Sequence, residues 1–132
     1  MANKRKFETD SIFLGLMPPL SGLVSMYGAE ITWAGRIACD EINASGGVLG
    51  RPLKLVIADD GSLPETAVPA ARSLIEDHNC HALIGNLLSN SRIAVADLVA
   101  TPHRIPYLNF SFYEGSIFSK YFFILQPCLI SR

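Results

Sequence analysis

The chain has 132 residues, nearly half of them apolar, and a formal net charge of −1. That is enough apolar material to build one small domain's core and too much for a disordered chain. With no basic run after Lys4-Arg5-Lys6, it lacks the positive footprint that nucleic acid or an anionic membrane would require.

The predicted elements alternate between strand and helix. Residues 1–10 carry no periodic pattern and are expected to be a flexible N-terminal segment. Ile12 to Met17 is a short apolar run that suits a strand buried on both faces, and Pro18-Pro19 closes it because proline cannot donate to a ladder. After a loop through Leu20-Ser21-Gly22, a helix is predicted from Gly28 to Ala44. Ile31, Ala34, Ala38 and Ile42 form its apolar stripe, and Gly46-Gly47 ends it. Leu53 to Ala58 reads as the second strand, leading into Asp59-Asp60-Gly61. Ser62 and Glu65 have capping-box spacing, and Pro64 suits a first helical turn. Ala67, Ala71, Leu74 and Ile75 give that helix its stripe, while Pro69 requires it either to start late or to bend. Leu83 to Gly85 is the third strand. Ser89 or Ser91 can cap a third helix that stops before Pro102, and Pro106 to Phe110 is the fourth strand. This order predicts an α/β fold, a parallel Rossmann-like sheet with helices on both faces.

In such sheets ligands bind outside the carboxyl ends of the strands. Four segments qualify: 18–22, which includes Ser21, then 59–62, 86–91 and 109–115. They offer serine, asparagine and glycine, which bond polar groups without strong charge. At Ser89 to Ser91 two readings stand, a site for a bound carbonyl or carboxylate oxygen and a plain helix cap. The aromatic cluster Phe110, Phe112 and Tyr113 lines a pocket or meets a missing partner segment.

Enzymatic patterns are absent. No Gly-x-Ser-x-Gly elbow, Walker loop or Gly-x-Gly-x-x-Gly follows a strand. His78, His81 and His103 fall at helix ends, remote from the strand tips, so no triad is expected and the chain reads as a non-enzyme. Asp59-Asp60 lacks the companion carboxylates of a phosphoacceptor pocket and reads as a solvated turn. Cys39, Cys80 and Cys128 show no metal or disulfide spacing. His78, Cys80 and His81 together are better explained by a helix end and a small buried hydrophobe. No metal and no cofactor are implied. Trp33 is expected to pack, and Arg36, Arg72 and Arg92 to lie on solvated faces.

Several stretches resemble one family. PLSG at 19–22, YG at 27–28, GRIACDEINASGGVLGRPLKLVIADDGS at 35–62, LIGNLLSNSRIAV at 83–95 and NFSFYEG at 109–115 together resemble the first lobe of type I periplasmic binding proteins, in the branched-chain amino-acid, amide and urea branch. The resemblance covers 11–123, and Tyr113-Glu114-Gly115 is similar to the aliphatic-amide sensors. It implies an incomplete first lobe of a two-lobed clamp that closes on a small neutral or zwitterionic solute. The residue matching Ser89 would bond the solute's polar head, and those matching Asn109, Ser111 and Phe112 would line the cleft. Leu87 and Asn109 stand where the amide sensor has aromatics, which implies a somewhat different pocket. Ser21 and Tyr113 complete the expected lining.

Two roles follow from the resemblance. One is a cytoplasmic sensor that regulates amide metabolism through an antitermination regulator. The alternative is the periplasmic substrate-binding component of an ABC importer. A flavodoxin-like or receiver-type module is a second alternative, distinguished by flavin absorbance or phosphorylation at Asp59 or Asp60. The basic Lys4 to Lys6 is followed by an apolar stretch too short for an export signal, so a cytoplasmic location is expected, or a periplasmic one if the N-terminus was trimmed. No run is long enough to insert in a membrane.

Residues 124–132 depart from the family pattern. A one-base shift of a frame carrying the family's proline-asparagine-glutamine run yields them, so a frame-slipped tail is expected, with a divergent strand as the alternative. A single wall should bind solute very weakly, and its exposed apolar faces should drive self-association.

Overall fold

The computed structural model describes residues 10–125. The expected segments 1–10 and 124–132, and Cys128, lie outside those residues except at their inner ends. Five strands, β1 (Ile12–Leu16), β2 (Leu53–Ile57), β3 (Ala82–Ile84), β4 (Tyr107–Asn109) and β5 (Phe122–Ile124), form one sheet in the order β2-β1-β3-β4-β5. Every neighbouring pair is parallel, so each link up to β4 is a helical crossover. Helix α1 (Gly28–Ala44) joins β1 to β2, α2 (Pro64–Glu76) joins β2 to β3, and α3 (Ser89–Val95) begins the link from β3 to β4.

Growth to one side through α1 and to the other through α2 puts the helices on opposite faces. Adjacent β1 residues show it. A Cβ on Gly15 would meet Leu74 of α2 and Leu83, while Leu16 and Leu55 approach Gly35 of α1. The α2–α3 face holds the core, with Met17, Leu74, Leu83, Val95, Val99 and Tyr107 at most 1% exposed. On the other face α1 covers β1 and β2. By the two-residue alternation of strands, the register partners Ile84, Leu108 and Phe123 share this second face. They are half-buried or, for Phe123, exposed.

Several expectations need correcting. The inward stripe of α1 is Gly28, Thr32, Gly35, Cys39 and Asn43, whereas Ala34, Ala38 and Ile42 are exposed. The small residues let helix and sheet approach closely: a Cβ on Gly35 would stand 2.7 Å from Leu16 Cδ2. Trp33 is 64% exposed rather than packed. The turn after α1 is as predicted: Gly47 has φ +76°, and a Cβ there would strike the Arg51 carbonyl.

The α2 capping box does not form. Leu63 precedes the first turn with no side-chain cap, and Ser62 Oγ donates instead to the Ser21 carbonyl at 2.7 Å. Pro64 opens α2 as expected, and the helix runs through Pro69 without starting late. The third helix does not stop before Pro102 but continues through a π-helical stretch, Ala96–Ala100, into a last turn, Thr101–His103. Sequence reading missed β5, whose register brings Ile124 beside Asn109. Among the described residues no helix is long and apolar enough to cross a membrane.

Candidate functional site

The strand order reverses at β1, so the loops after β1 and β3 diverge at their carboxyl ends and leave a crevice. Each loop is fixed from beneath. After β1, the backbone N–H groups of Leu20 (2.8 Å) and Ser21 (3.2 Å) and the Ser21 hydroxyl (2.5 Å) donate to the Asp59 carboxylate, which also accepts from Gly61 N–H at 2.8 Å. Burial alone would raise the Asp59 carboxyl. The hydrogen bonds from Ser21, Gly61 and Leu20 outweigh it and hold the group below its ordinary value.

After β3, the side chain of Asn86 is fully buried and donates to the Asp60 carboxylate at 3.0 Å. Its backbone N–H donates to the Tyr107 hydroxyl at 3.0 Å, and that hydroxyl donates to Asn86 Oδ1. Burial pushes the Tyr107 phenol well above its ordinary value, against the opposing influence of Arg92 and the Asn86 N–H. Asp60 is therefore a buried anchor, 1% exposed, and only Asp59 fits the expected solvated turn.

Arg92 corrects the sequence reading most. It is 1% exposed, and its Nη2 donates to the carbonyls of Leu87 (3.0 Å) and Asn86 (3.4 Å). Nη1 stands 3.6 Å from Glu114 Oε2, and the Ser89 hydroxyl donates to the same oxygen at 2.8 Å. Ser89 therefore bonds across the cleft and does not cap α3, whose first turn has no side-chain cap. Beside it the Ser111 hydroxyl donates to the Leu87 carbonyl at 3.3 Å. The segments at Ser89 and 109–115 meet at one rim of the sheet.

Between them lies an open cleft of about 660 Å³. Its lining includes Leu87, Ser89, Ser111 and Phe112 from the expected set, with Phe110 and Ile31. The other three expected residues stand elsewhere. Asn109 is fully buried and shapes its loop by bonding the Ser111 carbonyl and N–H. Tyr113 turns into the core, its hydroxyl bonding Ile117 and its ring against Phe122. Ser21 is tied to Asp59 and is not part of the lining.

Sequence reading also missed Glu30 and Glu114, both in the lining. For Glu114 the available signal was its place in the 109–115 segment, after a strand's carboxyl end; nothing in the sequence singled out Glu30.

Tyr27 also lines the cleft, whereas His81, His103 and Cys80 are not part of its lining. His81 stands at the opposite end of β3, its Nδ1 accepting from Phe13 N–H. His103 bonds the Val99 carbonyl and Glu76. Cys80 is buried, its thiol pushed up to about 11 by burial. Among the described residues no cluster could hold a metal ion.

Residues 11–127 match the family model described as periplasmic binding protein. The Leu/Ile/Val-binding protein BraC3 of Rhizobium johnstonii is 37% identical over 89 residues, which is 67% of this chain and 24% of that protein. In structure, the chain is similar to the branched-chain amino acid transporter substrate binding protein LivJ from Streptococcus pneumoniae, solved with isoleucine. The TM-score is 0.80 and the identity 27%, covering 86% of this chain and 33% of that one. It is also similar to an ABC transporter substrate-binding protein from Sphaerobacter thermophilus, with TM-score 0.74 and 28% identity over 86% of this chain and 32% of that one. Each of these relatives is named as a binding protein. The chain spans about a quarter of the curated relative's length.

Proposed function

Because the chain belongs to the periplasmic binding protein family, we propose that it forms one wall of a cleft for a small amino-acid-like solute, in the role of an ABC importer's substrate-binding component. The carrying observation is the rim where Leu87, Ser89, Ser111 and Phe112 line one open cleft at the strand ends. Phe110, Phe112, Leu87 and Ile31 suit a short branched apolar body, and Ser89 offers a polar contact beside them. The relatives named for leucine, isoleucine and valine and for branched-chain amino acids support this choice of solute. A permease partner and a periplasmic location belong to the same reading.

A second reading makes the chain an amide sensor acting with an antitermination regulator. It rests on the triplet Tyr113 to Gly115, whose tyrosine lies in the core and away from the cleft. A thermal-shift panel of leucine, isoleucine, valine, acetamide and urea separates the two. A wall open on one side buries little of a solute, so dissociation constants in roughly the millimolar range are expected. Stabilisation by the branched amino acids over acetamide and urea supports the importer reading. Stabilisation by acetamide or urea alone supports the sensor.

A further inference from the structure

We propose that the open edge of β2 is a pairing surface for a second copy of this chain, the two β2 strands joining antiparallel about a twofold axis at Val56. Among the described residues β2 ends the sheet, with β1 on one side of it and no strand on the other. Two bonds fix which way its backbone groups point: Ile12 N–H donates to the Pro52 carbonyl at 2.9 Å, and Ala58 N–H to the Leu16 carbonyl at 3.0 Å. In this parallel register Lys54, Val56 and Ala58 turn their N–H groups to β1, while Leu53, Leu55 and Ile57 turn theirs outward. At Leu53 the outward groups are satisfied. Asn43 Oδ1 accepts from its N–H at 2.7 Å, and Asn43 Nδ2 donates to its carbonyl at 2.9 Å. The outward groups of Leu55 and Ile57 have no such partner among the described residues. An unpaired edge of this kind is a template for another strand. Lys54 does not block it, because its ammonium lies over the Phe13 ring, 5.8 Å from the ring centre.

The spacing of those groups suits a copy of β2 itself. In an antiparallel pair the mutually bonded positions recur at every second residue. With the axis at Val56, Leu55 of each copy lies opposite Ile57 of the other, and each such pair exchanges both of its N–H···O bonds. The Asn43 amide stops the pairing at Leu53. Such a twofold is closed and isologous, and it sets the two α1 helices side by side on one face of the joined sheet. There each copy carries a groove of about 290 Å³ over the edge, its lining including Trp33, Arg36, Asp40, Leu55 and Ile57. Trp33 is 64% exposed, and Arg36 and Asp40 have no ion-pair partner among the described residues. A cation, an anion and an apolar ring in one groove complement the same groove turned about the axis. The chain's net charge of −1 gives little repulsion between copies.

Amide exchange in the full chain, followed residue by residue by NMR, reads the edge directly. Raising the chain from about 20 µM to about 1 mM should slow exchange at Leu55 and Ile57 about threefold or more, the response of a weak dimer. Lys54 and Val56, whose N–H groups bond β1, should not respond. A mixed sample of labelled and unlabelled chains should show a cross-copy contact between the Val56 Hα protons, which approach closely at a non-hydrogen-bonded pair. Trp33→Glu sets a carboxylate from each copy beside the axis and should remove the concentration dependence. Ile57→Pro deletes an outward N–H that β1 does not use and should do the same. Either variant serves if it keeps the parent's circular dichroism. Exchange at Leu55 and Ile57 that stays fast at every concentration overturns the proposal, even where light scattering shows a larger mass, since association then runs through another surface. Slow exchange at both residues in a chain that scatters as a monomer also overturns it, because the chain's own residues then fill the edge.

Discussion

Single side chains decide the shape of the cleft floor. Tyr107 holds both the N–H and the side-chain oxygen of the buried Asn86. Tyr107→Phe leaves those groups unpaired in the interior and should cost about 1–3 kcal/mol in urea denaturation. An unchanged midpoint would show that the network contributes nothing. Asp59 makes a pH prediction. Its carboxyl is lowered in the folded chain from an ordinary value of 3.8, so its stabilising contribution is complete above that value. The contribution is lost as pH falls through the lower folded value. Acidification below 3.8 should therefore loosen the loop at Leu20 and Ser21, seen as amide-shift changes there. Asp59→Asn should remove that acid-dependent step.

Elements were legible wherever burial followed an ordinary pattern. The three long crossover-and-strand units follow apolar periodicity, and Pro64 and Gly47 marked a helix start and a helix end that the structure reproduces. Periodicity misled at α1, because its buried face is made of Gly28, Gly35 and other small residues that carry no hydrophobic signal. A close approach between helix and sheet is a property of the pair of surfaces, and one strand of text does not display it. The same holds for Arg92, an arginine on an apparent polar face that bonds the carbonyls of the loop leading into its own helix and pairs with the distant Glu114. β5 was missed because a three-residue strand, Phe122–Ile124, is too short to establish a period.

The α1 contact is testable at this scale. Gly35→Val puts a branched side chain where Leu16 Cδ2 stands 2.7 Å from a bare Cβ, and should destabilise by about 1–3 kcal/mol. On the opposite face Leu74→Ala, in a core position 1% exposed, should cost about 2–5 kcal/mol. Equal stability of either variant to the parent in urea would contradict the packing described.

The described residues give the sheet one well-covered face and one partly bare face. Among the described residues α2 and α3 cover the sheet on one side, while on the other side Ile84 and Leu108 are only half-buried and Phe123 is exposed. Exposed apolar surface of this kind favours association, so light scattering should show mass rising with concentration. A monomer at every concentration would contradict that expectation. At this scale too, solute binding requires the loops after β3 and β4 to act as one wall. Titrating leucine into the isotopically labelled chain tests this most directly. The predicted result is a saturable set of amide shifts confined to residues 87–90 and 109–115 and the facing start of α1. Shifts centred on other parts of the sheet, or none at tens of millimolar, would contradict it.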